Sequence, residues 1–126
     1  MTLDRLIKEF FRRHGSAVQC LENAKIRLAD AAAVKTERMA THLESILLSV
    51  EDYDAKRRLY GQMLEDAQLG AENATDDVVI ATLKAQLMRQ AVRAATLNTP
   101  SGYAIAIRER AEARAIEEAA RILDRV

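Results

Sequence analysis

Between Met39 and Ala67 the side chains Met39, Leu43, Ile46, Val50, Tyr53, Arg57, Tyr60, Leu64 and Ala67 recur at alternating steps of four and three residues, and only Arg57 is charged. A step averaging 3.5 residues keeps one stripe on one side of a helix, so the series predicts a long helix whose seam lies against another helix. The pattern runs through Gly61 and on to Leu69 before Gly70. Residues 36–69 would span roughly 50 Å at 1.5 Å per residue. A ball made from 126 residues would be only roughly 35 Å across. The chain is therefore expected to be an all-α, elongated antiparallel bundle of four to five helices, with this coiled-coil-like helix as its spine.

The rest of the chain supplies the other helices. Leu3, Leu6, Ile7, Phe10 and Phe11 have helical spacing, and Gly15 followed by Ser16 and Gln19 reads as a helix stop and a new capping box. Helices are expected over 3–14 and 17–34, with a kink or break somewhere in 31–37. AENATDD, residues 71–77, reads as a linker, and a helix over 77–97 follows. Its polar strip is Thr82, Gln86, Arg89, Gln90, Arg93 and Thr96; its apolar residues cover about half the circumference, as suits an inner helix touching two neighbours. Thr99 and Pro100 form a standard helix start for a last helix over 101–125. The whole chain is expected to be one helical domain.

Composition narrows the function classes. Only 4 Gly and 1 Pro stand against 49% apolar and 30% charged residues, which favours helices over disorder. There is no Trp and aromatic content is 4%, leaving few anchors for stacking bases or flavins. One cysteine forms no internal disulfide and no run approaches a transmembrane length, so a reducing, cytoplasmic setting without membrane partners is expected. Net charge is zero, but it is segregated. Residues 1–38 hold 8 Lys+Arg against 5 Asp+Glu, residues 39–80 hold 3 against 9, and residues 81–126 hold 8 against 5. Basic ends and an acidic middle can satisfy one another within a bundle or across a dimer.

No constellation points to catalysis, and no catalytic residue, metal site or cofactor is expected. His14 and Cys20 have no orienting acid nearby and read as a helix-end histidine and a small half-buried thiol. His42 lacks the Glu-x-x-His setting of a helical metal site, and Glu51, Asp52 and Asp54 lack a glycine-bearing calcium loop. These acids read as a solvated face, with Asp52–Lys56 and Asp54–Arg58 as helix pairs. Phosphate-cradling glycine motifs and the serine and zinc hydrolase motifs are missing.

Two binding roles remain. The first is a non-catalytic interaction or assembly module, a small adaptor, chaperone or inhibitor, whose partner is another protein or a second copy held in a homodimer through the 39–67 seam. In this reading Arg57 meets a carboxylate of an antiparallel helix, stacks between Tyr53 and Tyr60, and fixes register. The second is a dimeric nucleic-acid-binding regulator using Lys84, Gln86, Arg89, Gln90 and Arg93, because no acidic residue occurs between Lys84 and Arg108 and Arg and Gln read base edges.

Overall fold

The computed structural model describes residues 2–32, 37–96 and 103–125. They form four helices and, among themselves, no strand: α1 (Leu3–Ala32), α2 (Glu37–Asn73), α3 (Asp76–Thr96) and α4 (Tyr103–Asp124). The all-α antiparallel bundle expected from the sequence is observed. At 1.5 Å per residue α2 is roughly 55 Å long, and the accessible surface of 8581 Å² exceeds the roughly 6,700 Å² of a compact protein of this mass. The molecule is elongated for that reason.

The break expected at Gly15-Ser16 does not occur, because α1 is continuous from Leu3 to Ala32. The apolar stripe explains the correction. Leu3, Leu6, Phe10, Ala17, Leu21 and Ala24 are all buried and keep one helical phase across the glycine. Gly15 is exposed with nothing near its missing Cβ, and none of the described residues has a positive φ. Packing on both sides carries the helix through a residue that costs roughly 1 kcal/mol relative to alanine. The break expected in 31–37 falls largely on residues 33–36, outside the described residues, as does the Thr99-Pro100 start.

Gly70 does not stop α2 either, since the helix continues to Asn73 and the linker shrinks to Ala74 and Thr75. The Thr75 carbonyl accepts from the Val79 amide at 3.0 Å and opens α3. Gly70 serves instead as the contact point of the α2–α3 turn, where an added Cβ would lie 2.9 Å from Val79 Cγ1. Gly61 does a similar job between α2 and α1, with His14 Cδ2 3.2 Å from the position of a Cβ. Asp76 then ties the two N-termini together, its Oδ2 accepting from the Leu3 amide at 3.3 Å.

All four helices contribute to one core: Leu3, Leu6 and Phe10 from α1, Tyr60, Met63 and Ala67 from α2, Val79, Leu83 and Leu87 from α3, and Ala119, Ile122 and Leu123 from α4. A second, smaller cluster of Ala55, Ala111 and Ala115 lets α2 and α4 approach closely, with Leu59 against it. Helix α2 is thus buried on two sides, through the seam with Tyr60 and Ala67 and through Ala55, Leu59 and Met63 roughly a quarter turn away. The inner helix is α2. Helix α3 packs against α1, α2 and α4 through one side, and the opposite side faces outward.

Candidate functional site

The predicted seam is largely spent inside the chain. Ile46 and Tyr60 are buried, while Leu43, Val50, Tyr53, Arg57 and Leu64 are half-buried; the side chain of Met39 lies outside the described residues. The Tyr60 ring sits 6.1 Å from that of Phe10 on α1. Arg57 does not reach another helix as expected. Its Nη2 donates to Asp54 Oδ1 at 2.8 Å, one turn back on α2, and neither Tyr53 nor Tyr60 stacks on it. An acid three residues away satisfied the guanidinium locally before any distant carboxylate was needed.

Beside the seam lies a polar clasp that the sequence did not suggest. Glu118 of α4 accepts from the Tyr60 hydroxyl at 2.7 Å and from Arg13 Nη1 of α1 at 3.0 Å. Its other oxygen is 3.1 Å from Lys56 Nζ of α2. Burial works to raise the Glu118 pKa, but the bonds from Tyr60 and Lys56 outweigh it and hold the carboxyl below its ordinary value. Burial first, and then the bond to Glu118, push the Tyr60 hydroxyl far up. Tyr60 therefore stays a protonated donor throughout the physiological range. Glu118 joins three helices, and nothing in its local sequence, where it follows Glu117, carried a sign of that.

The segregated charges are used within the bundle along α2 and α4. Asp52 pairs with Arg114 at 3.1 Å and Arg58 with Glu112 at 3.2 Å. Glu51 Oε2 is 3.7 Å from Arg108 Nε, an ionic distance too long for a hydrogen bond, and that oxygen has no hydrogen-bond partner. Of the two expected helix pairs, Asp54–Arg58 forms at 3.1 Å, whereas Lys56 and Asp52 turn to α4 instead.

On one continuous helix His14 and Cys20 are roughly 9 Å apart along the axis and on different faces, with His14 against Gly61 and Cys20 half-buried. Among the described residues no three of His, Cys, Asp and Glu come together as metal ligands, and no helix is long and apolar enough to cross a membrane.

The outward side of α3 is an exposed apolar surface that packing does not explain, and Phe11, Ile26 and Leu69 are exposed elsewhere. Val78, Ala81, Ala85, Met88 and Val92 recur at steps of three and four, and every one is exposed. Met88 is 69% exposed, Val92 58% and Val78 55%, where a solvated helix face would carry charges. Val79, Leu83 and Leu87 occupy the opposite, buried side. The polar strip is turned sideways, towards α2. Thr82 and Gln86 line a shallow groove of about 310 Å³ with Leu69 and Gly70, and Gln90 and Arg93 line a cleft of about 460 Å³ over Ala55, Leu59, Ala115 and Ile116. Of the predicted nucleic-acid residues, Lys84 thus lies across the helix from Gln86, Gln90 and Arg93, which edge the α2 grooves; the five do not form one convex face. The 3.5-residue spacing of Val78, Ala81, Ala85, Met88 and Val92 was legible in the sequence, hidden by the breadth of the apolar half.

Compared with known proteins, the chain matches no family model, no curated protein sequence and no solved structure.

Proposed function

We propose that this chain is a non-catalytic protein–protein interaction module that offers the outer face of α3 to a partner. The observation that carries the reading is the five-residue apolar stripe from Val78 to Val92, left exposed on a helix that already buries a separate stripe. An isolated exposed leucine needs no explanation, but a contiguous apolar face at coiled-coil spacing marks a binding surface. The α1–α2–α4 side supplies the rigid support, tied by the Glu118 clasp. With the 39–67 seam directed inward, self-association through it would require opening the α1–α2 pair. A reducing, cytoplasmic setting belongs to the same reading, since the one cysteine has no partner for a disulfide within the chain.

The test is site-specific photocrosslinking in the cell, with a photoreactive amino acid replacing Met88, Val92 or, as an exposed polar control on α4, Glu117. A discrete crosslinked protein from positions 88 and 92 but not from 117 is the expected result. Crosslinks indistinguishable among the three positions, or none at 88 and 92, would remove α3 as the docking face.

A further inference from the structure

We infer that the occupant of the α3 face is an acidic amphipathic helix of another protein; the inference rests on the docking role proposed above and names its partner class. The two positions that flank the stripe at its middle are both cationic. With Val78, Ala85 and Val92 as a positions and Ala81 and Met88 as d positions, Lys84 falls at g and Arg89 at e. Neither is in an ion pair among the described residues, in contrast to Arg108, Arg114 and Arg13. The only acidic residues of α3 are Asp76 and Asp77 in its first turn, Asp77 falling at g one heptad before Lys84, and none occurs from Val78 to Arg108.

The arrangement discriminates among occupants. A second copy in parallel would set Lys84 against the other chain's Arg89, and an antiparallel copy centred on the stripe would set the two Lys84 side chains together, both repulsive; an antiparallel copy displaced by one heptad would set Asp77 against Lys84 and leave Arg89 without an acid. A helix with Leu or Ile at a and d and Glu or Asp at e and g meets a cation on either side. The alanines at 81 and 85 lie between Val78 and Met88 and leave a shallow saddle for large knobs. Membrane-surface helices instead present bulky Trp, Phe or Leu with several cations, and this face has none of those three residues. Duplex phosphates would meet two cations separated by an apolar strip.

The experiment uses the full chain and two fluorescein-labelled synthetic peptides of three heptads, both with Leu at a and d, one with Glu and the other with Lys at e and g. Fluorescence anisotropy at low salt is expected to show the Glu peptide binding at least about tenfold more tightly, with the gap narrowing as salt is added. The double variant Lys84→Glu/Arg89→Glu should reverse the preference, and Met88→Asp should weaken both peptides; circular dichroism checks that each variant keeps its helices. Equal binding of both peptides, abolished by Met88→Asp, would overturn the acidic partner and leave the docking face standing. No binding of either peptide, together with no crosslink at position 88, would sink both. A dimer in light scattering that Met88→Asp dissociates would make the occupant a second copy and overturn the inference. Binding to vesicles of equal parts phosphatidylcholine and phosphatidylserine that exceeds binding to the Glu peptide would overturn it in favour of a membrane surface.

Discussion

Two flanks of this bundle carry similar residues and use them in opposite ways. Along α2 and α4, cations meet carboxylates across the helices, as Arg114 meets Asp52 and Lys56 meets Glu118, and the apolar seam beside them buries Tyr60 and Ala67. On the outer side of α3, Lys84 and Arg89 flank an apolar stripe of the same heptad spacing, and among the described residues no helix covers it. One seam with charged edges is closed; the other is open. Periodicity identifies both as surfaces for a helix, and only the three-dimensional packing shows which one the chain keeps for itself.

The sharpest way to break that contrast is to truncate the largest side chain of each seam. Tyr60→Ala removes a fully buried ring, its contact with Phe10 and the hydrogen bond to Glu118. Chemical denaturation is expected to show a loss of about 3–5 kcal/mol. A loss under about 1 kcal/mol would mean that the closed seam is not the core described above.

Glu118 tests the clasp. Glu118→Ala leaves the Tyr60 hydroxyl and Arg13 without their cross-helix acceptor, for an expected cost of about 1–3 kcal/mol. The charge gives an independent signature. Folding lowers the pKa of Glu118, and also that of Glu9, chiefly through its bond from Arg12, and of Asp54, whose burial is outweighed by Arg57 and Arg58. A carboxylate lowered by folding contributes stability that is complete above its unfolded pKa, about 4, and is lost as pH falls through the folded value. Thermal unfolding followed from pH 7 downward should therefore hold steady to about pH 5 and weaken below about 4. The Glu118→Ala variant should weaken less over that lower range; an identical acid profile would place the pH dependence elsewhere.

Gly70 tests how α3 is held against α2. A Cβ there would meet Val79 Cγ1 at 2.9 Å and Cγ2 at 3.0 Å, and Val79 is buried in the core, so its branched end has little room to retreat. Gly70→Ala is expected to cost about 1–2 kcal/mol despite the gain in helix propensity. A neutral result would show that the α2–α3 turn relaxes freely.

The elements most legible in the sequence are those set by one repeated local rule. Helix type and the long course of α2 through Gly61 followed from spacing alone, because a helix with one covered face needs only its stripe. Gly15 and Gly70 were misread for a common reason: a glycine stops a helix only when the apolar phase also stops, and here it continued from Phe10 to Ala17 and from Ala67 into the turn against Val79. Within the chain Arg57 pairs with Asp54, which is closer along the sequence than any interhelical acid. Glu118 could not be found at all, since its three donors come from residues 13, 56 and 60 and become neighbours only once three helices pack. The stripe from Val78 to Val92 was visible, but deciding whether it was buried required knowing that α2, and not α3, takes the inner position.

Gly15 provides a smaller effect of opposite sign. Nothing lies within 4 Å of a Cβ at this exposed position, and its φ is not positive. Gly15→Ala should stabilise α1 by about 0.5–1 kcal/mol, because alanine loses less conformational freedom on entering a helix. A destabilisation measured by urea titration would restore a joint at Gly15-Ser16.

The smallest expected effect bears most directly on function. Met88 is 69% exposed, so Met88→Gln removes an apolar side chain that contributes almost nothing to the core, and stability should change by less than about 0.5 kcal/mol. The same change should markedly reduce crosslinking from a photoreactive residue at position 92, because the apolar centre of the open stripe is gone while its cationic edges remain. Those two readouts separate a surface kept for a partner from one that serves the fold. A stability loss comparable to that of Gly70→Ala would mean that Met88 is covered within the chain. Unchanged stability with unchanged crosslinking would leave the edges, Lys84 and Arg89, as the part of α3 that a partner holds.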